Sequence, residues 1–180
     1  MGKKILIVLM VLVAILVVFS AVVAMQPADF RVVRSATISA PQADVFAQVN
    51  DFHKWEAWSP WLKLDPNATY TYEGPQAGTG AIFKWSGNSD AGEGMMKITE
   101  SKPSDLIKIK LDFVRPFEST CNQEFTFKPE GNQTAVTWTM TGQNNFIGKV
   151  FCLFMNMDKT VGGDFEKGLA NMKSVVEAKK

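Results

Sequence analysis

Few residues in this chain of 180 could carry acid–base or nucleophilic chemistry. His53 is the only histidine, so no cluster of imidazoles can hold a metal, and any triad would have to be built around that one ring. It stands beside Lys54 in a polar stretch, which suits a solvated turn residue better than a general base. Glu56, Glu73 and Glu93 fall near expected strand ends or the mouth of a pocket. A buried carboxylate in such a place can have a raised pKa and pass a proton; the plainer alternative for each is a surface or turn carboxylate. Ser59 lies in no nucleophile-elbow motif. The glycines at 74, 78, 80, 87, 92 and 94 match no phosphate-binding loop and read as turns and bulges. Cys121 and Cys152 each stand in an apolar stretch, where a free thiol behaves as a small buried hydrophobe. In an oxidising compartment the two could instead pair. Nothing here calls for a metal or a cofactor.

Aromatic side chains are the stronger signal. Trp55, Trp58, Trp61, Trp85 and Trp138, with Phe83, Phe113 and Phe151, are more than a small core usually requires. For any one of them plain core packing competes with a place in the wall of an apolar pocket, and Met155 joins the pocket candidates. Such a wall, with few polar groups, suits a hydrophobic ligand better than catalysis.

The elements that must position these residues begin with an uncharged run. Residues 5–24 contain Ser20 as their only polar side chain. Twenty residues rising about 1.5 Å each give a helix of about 30 Å, the thickness of the hydrocarbon core of a bilayer. Lys3 and Lys4 precede the run, so the positive-inside rule keeps that end in the cytoplasm and sends the rest across, to the periplasm or cell surface. Arg31 and Arg34 on the far side reduce the contrast. A cleaved secretory signal is the rival reading, with a cut after Val22-Val23-Ala24; the apolar run exceeds the usual h-region of roughly 7–15 residues, which favours a retained anchor. The expected organisation is an anchor over residues 1–25, a linker over 26–29 and a folded domain over 30–180. Charge is nearly even, 19 basic against 18 acidic residues, with no basic run beyond the Lys3-Lys4 and Lys179-Lys180 pairs. Nucleic acid is therefore not an expected partner.

Within the domain, residues 30–38 alternate as a strand, and Pro41 suits the first position of a short helix carrying Val45, Phe46 and Val49. Asp51 can cap a further turn that holds Phe52, Trp55 and Trp58. Period-two segments follow at 69–73, 81–85, 94–100, 107–113, 117–128 and 136–141, joined by short turns, as in an antiparallel meander. Residues 147–157 are almost all apolar and suggest a short buried helix or a lid. From Thr160 onward Phe165, Leu169, Met172 and Val176 recur at helical spacing, giving an amphipathic helix to lie on the sheet. The fold class is α+β: a curved antiparallel sheet around a long C-terminal helix.

This order, with Ser39-Ala40-Pro41, Val45-Phe46, Asp51-Phe52, Trp58-Ser59-Pro60-Trp61, Tyr72-Glu73-Gly74-Pro75, Gly78-Thr79-Gly80, Trp85-Ser86-Gly87-Asn88 and the closing Asp158-Lys159 and Asp164-Phe165-Glu166-Lys167-Gly168-Leu169, resembles the SRPBCC superfamily. That superfamily has the helix-grip fold of START lipid-transfer domains and polyketide cyclases; within it, the chain looks like a bacterial membrane-anchored group. The resemblance implies a cavity between sheet and C-terminal helix, lined by some of the aromatic set, with the segments 55–61 and 146–157 as gates. It implies a membrane-anchored binding or carrier domain for a hydrophobic, lipid-like small molecule. Two alternatives stay open: a cyclase- or dehydratase-like enzyme using a pocket carboxylate, and a non-catalytic envelope scaffold whose pocket is closed by side chains.

Overall fold

One-faced strands pair into a sheet whose apolar side must be covered, and the amphipathic last helix is the available cover. The computed structural model describes residues 2–178; the Lys179-Lys180 pair and the expected domain end at 180 lie outside the described residues. Seven strands form one antiparallel sheet: β1 (Asp29–Ile38), β2 (Thr69–Glu73), β3 (Ile82–Ser86), β4 (Glu93–Lys102), β5 (Leu106–Arg115), β6 (Ser119–Glu130) and β7 (Gln133–Gln143). Their spatial order is β1-β7-β6-β5-β4-β3-β2. The meander from β2 to β7 is therefore closed by the first strand, which pairs with the last in the register Arg34 to Trp138. Register shifts between Glu93 and Gly94 and between Ile98 and Glu100 mark irregularities where β4 meets β5, and such bulges bend a sheet.

Among the described residues there are also four α-helices, α1 (Gly2–Ala24), α2 (Gln42–Asn50), α3 (Phe146–Phe154) and α4 (Met157–Glu177), and two 3₁₀ turns, Phe52–Ala57 and Trp61–Lys63. Pro41 stands one residue before α2 in extended backbone, not inside its first turn. Asp51 does cap the 3₁₀ turn Phe52–Ala57, its carboxylate accepting from the His53 N–H. α4 starts at Met157, before Thr160, because the Asn156 side chain accepts from the Lys159 N–H and so satisfies one of the orphan donors of a first turn. Phe165, Leu169, Met172 and Val176 are all buried against the sheet. At about 1.5–3 kcal/mol for each fully buried side chain of this size, that one stripe holds α4 in place.

One element departs from expectation. α3 is apolar and helical, with Asn145 capping it, yet none of its nine residues is buried. It is not the buried helix that its composition suggested. α1 is long and apolar enough to cross a membrane, with 0 % of its most apolar window buried against the rest of the chain.

Candidate functional site

The inner face of the sheet brings together much of the aromatic set. Trp138 on β7 stacks on Phe165 of α4, with ring centroids 3.9 Å apart and planes 6° from parallel. Trp58 meets it edge-on at 5.7 Å and Trp61 at 5.6 Å, while Phe125 stacks at 4.6 Å. Trp55 lies 4.6 Å from Trp58, and Phe83 lies 6.0 Å from Phe52. Trp58 and Trp138 are 0 % exposed, which leaves no room beside them even for water, and Trp55 and Phe83 are 2 % exposed. The indole N–H groups are satisfied: Trp55 donates to Val49 O, Trp58 to Gln48 O and Trp138 to the Gln123 side-chain oxygen. Trp55, Trp58 and Trp138 fill the space between sheet and helix, and Phe83 packs against Phe52 of the 3₁₀ turn, where all four were expected to line a cavity. The physical reason is mutual: each ring covers the others at van der Waals distance, so the centre of the grip is solid.

The rest of the set lies at its margins. Trp61 is partly buried, and Trp85 and Phe113 meet edge-on at 5.8 Å near the end of β5, also partly buried. Phe151 and Met155 are exposed on and just after α3.

Space for a ligand opens at the ends of the grip. One groove, about 570 Å³, runs between the start of β1, the end of α3 and the start of α4. Its apolar wall includes Phe30, Val32, Leu153, Met155 and Met157, and Arg31, Asn144 and Asp158 add polar groups. The site is shaped by three local devices. Gly142 pairs with Phe30 across β1 and β7, and a Cβ there would come within 2.7 Å of the Phe30 ring, so only glycine leaves that ring its place. Met155 and Asn156 are extended, which turns the chain between α3 and α4. Arg34 then ties α4 to β1: Nη1 lies 2.9 Å from Asp158 Oδ1, Nη2 donates to the Asp158 carbonyl at 2.9 Å, and Nε donates to Glu166 Oε1 at 2.6 Å. Hydrogen bonding from Arg34 holds the Asp158 carboxyl below its ordinary range, and Arg34 is held above its own by Asp158 and then Glu166.

A second pocket, about 320 Å³, lies between the 3₁₀ turn and the β2–β3 hairpin, lined by Phe52, His53, Tyr72, Glu73 and Ile82 among others. His53 is exposed on the 3₁₀ turn, as its polar surroundings suggested, and makes two further contacts. Its Nδ1 lies 2.9 Å from Oδ1 of the buried Asp51, and its ring stacks on Tyr72 at 4.0 Å. Burial, followed by the charge of Glu56, pushes the Tyr72 hydroxyl up from its usual value. The Asp51–His53 pair was missed by the sequence reading, although an aspartate capping the turn two residues before the histidine was a usable signal.

The three candidate acids are not brought together. Glu56 is exposed on the 3₁₀ turn. Glu73 closes β2 and pairs with Lys84 at 2.6 Å; Glu93 opens β4 and pairs with Arg115 at 2.8 Å. Of these only Glu73 borders either pocket. Cys121 and Cys152 are both free thiols. Among the described residues no group of three or more His, Cys, Asp or Glu side chains is placed to hold a metal ion.

A family model described as polyketide cyclase/dehydrase and lipid transport matches residues 29–177. No curated protein matches the sequence. Among solved structures, protein CV1439 from Chromobacterium violaceum is similar at a TM-score of 0.59 and 14% identity, over 84% of this chain and 99% of that one. Protein Ms6760 from Mycobacterium smegmatis is similar at 0.58 and 16% identity, over 83% and 92%. DynU16, from the dynemicin biosynthetic locus, is similar at 0.58 and 15% identity, over 83% of this chain and 48% of its own. At these identities the likeness is one of fold.

Proposed function

The chain belongs to the polyketide cyclase/dehydrase and lipid transport family, and from that premise we propose a membrane-anchored carrier of a hydrophobic, lipid-like small molecule. Residues 1–25 are the anchor, 26–29 the linker and 30–180 the binding domain, which faces the extracytoplasmic side because Lys3 and Lys4 hold the other end in the cytoplasm. The observation that carries the reading is the groove of about 570 Å³ where β1, α3 and α4 meet. Its volume falls within the usual range for small-molecule sites, roughly 300–1,000 Å³, and its wall sets Phe30, Val32, Leu153, Met155 and Met157 beside Asp29, Arg31, Asn144, Asn156 and Asp158, which suits a molecule with an apolar body and a polar or charged end. Met155 contacts the ligand from within the groove. Phe151, Trp61, Trp85 and Phe113 keep some exposure but line neither this groove nor the second pocket.

Native mass spectrometry of the full chain, purified in mild detergent, tests the proposal. The expected result is an adduct of lipid-like mass that disappears in Leu153→Trp, where an indole would occupy the groove. Repeated recovery of empty protein, with no binding across a panel of phospholipids, sterols and aromatic polyketides, would overturn it.

One observation favours a second reading, a cyclase- or dehydratase-like enzyme. In the tautomer whose Nδ1–H donates to Asp51, the His53 Nε2 would present the lone pair a general base needs, in a pocket that also holds Glu73. Substituting His53, Glu56, Glu73 and Glu93 in turn separates the two. A carrier keeps its adduct through each change, whereas an enzyme loses turnover with His53 or Glu73.

A further inference from the structure

The groove does not account for the outward face of α3. Seven of its nine residues, all but Gly148 and Lys149, are apolar, and none is buried. A surface helix in water normally turns such a stripe towards a core. Here Phe146, Ile147, Phe151 and Phe154 point away from it, Phe154 being 77 % exposed. Among the described residues outside α1, ten large apolar side chains are exposed. Five belong to 146–155, two (Val114 and Phe117) flank the β5–β6 turn, and Met25 follows α1; only Leu64 and Tyr72 are elsewhere. The Phe117 and Phe151 rings lie 5.6 Å apart, so turn and helix share one patch. Scattered exposed apolar residues are ordinary, but eight of ten gathered at one end are not.

What lies beside that patch names its occupant. The end of α1 packs on α3: Lys149 Nζ donates to the Ala24 carbonyl at 3.2 Å, one of the orphan acceptors of the helix end, and Val23 is buried there. The Asn144 N–H donates to Ala28 O at 2.6 Å, fixing the connection to the domain. Only residues 25–28 separate α1 from β1, a reach of at most about 14 Å even when fully extended. The patch thus continues the apolar surface of α1 itself and cannot move far from it.

We infer that α3 and the β5–β6 turn form a membrane-docking face, lying in the interfacial layer of the bilayer that α1 crosses. The inference rests on reading α1 as a retained span. An in-plane amphipathic segment buries its apolar side about 5–10 Å into the boundary between headgroups and acyl chains, with its cation at headgroup level, which is the place of Lys149. Phe154 and Met155 belong to both this face and the groove, so the groove opens at the lipid boundary and a lipid-like ligand enters it without crossing water.

Depth-dependent quenching in phosphatidylcholine nanodiscs tests the docking face on the full chain. In a Cys152→Ser background, an environment-sensitive fluorophore is placed singly through Phe154→Cys, Leu12→Cys or Leu64→Cys. Cys121, buried, stays unlabelled. The expected result is loss of fluorescence at 154 with a nitroxide high on the acyl chain, loss at 12 with one deep in it, and none at 64. Quenching at 12 with 154 as bright as 64 would overturn the docking face and leave the span intact. No quenching at 12 would remove the span, and the docking face with it. A label at 154 that is shielded from water, untouched by nitroxide and cross-linked to a second chain would make this face a protein interface instead.

Discussion

If the centre of the grip is solid, Trp138 is a structural residue, and replacing it by phenylalanine costs stability whether or not a ligand is bound. The indole N–H donates to the Gln123 side-chain oxygen at 2.9 Å, and Gln123 is 5 % exposed. Losing that donor leaves a buried acceptor without a partner, a cost of about 1–3 kcal/mol. Phenylalanine also lacks two ring carbons besides the nitrogen in a site with no free volume, which adds about 1–3 kcal/mol at roughly 0.5–1.5 kcal/mol for each carbon removed. Stacking on Phe165, now at 3.9 Å, survives in part. The expected loss is therefore about 2–6 kcal/mol, a large share of the roughly 5–15 kcal/mol that holds a typical domain together. Guanidinium unfolding of the full chain in detergent, followed by far-UV circular dichroism, reads this as a lower midpoint at unchanged slope. Adding Gln123→Met removes the orphaned acceptor and should recover about 1–2 kcal/mol. A single variant within about 0.5 kcal/mol of the parent, the ordinary range of neutral surface changes, would refute the reasoning, as would a double variant no more stable than the single. Either outcome would return Trp138 to the wall of a cavity.

A Cβ at Gly162 would collide with the Arg34 guanidinium, so Gly162→Ala should push Arg34 off Asp158 and Glu166 and leave the chain less stable than Gly163→Ala. Gly163→Ala, with nothing within 4 Å of the new atom, should be neutral or stabilise by up to about 1 kcal/mol in the same unfolding assay. Asp158 is held below its ordinary pKa by Arg34, and Glu100 by Lys108 and then Lys102. A folded-state value below the unfolded one adds stability above about pH 4, lost as pH falls through the folded value; the thermal midpoint should drop below that pH, and less steeply in Arg34→Gln. Burial pushes the Cys121 thiol up to about 12. The native chain should therefore take one equivalent of a maleimide at Cys152 near pH 8 and a second only after denaturation, as counted by mass.

Features set within a few residues were open to reading. Alternation through Ile107, Ile109 and Leu111 gave β5, and the spacing of Phe165, Leu169, Met172 and Val176 gave the buried face of α4. Asp51 capping the turn at His53 was legible, but the contact of its carboxylate with the ring was overlooked. The start of α4 at Met157 was readable in principle from Asn156. α3 was legible as a helix and not as an exposed one, because an apolar face suits a protein core and a lipid boundary alike.

The sequence alone determined the α+β class, the strand and helix faces, the apolar span and the resemblance to a helix-grip family, since each follows from periodicity, run length or local motif. Tertiary structure decided which aromatics fill the grip and which stand at its edges, and that Arg34 meets Asp158 and Glu166 more than 120 positions away. It also set the groove at the anchor end and gathered Phe117 with Phe151 into one patch. These depend on the first strand closing against the last and on how rings of similar hydrophobicity share a finite volume. Residue type states how much surface a side chain would hide, while only the three-dimensional packing states from whom it is hidden.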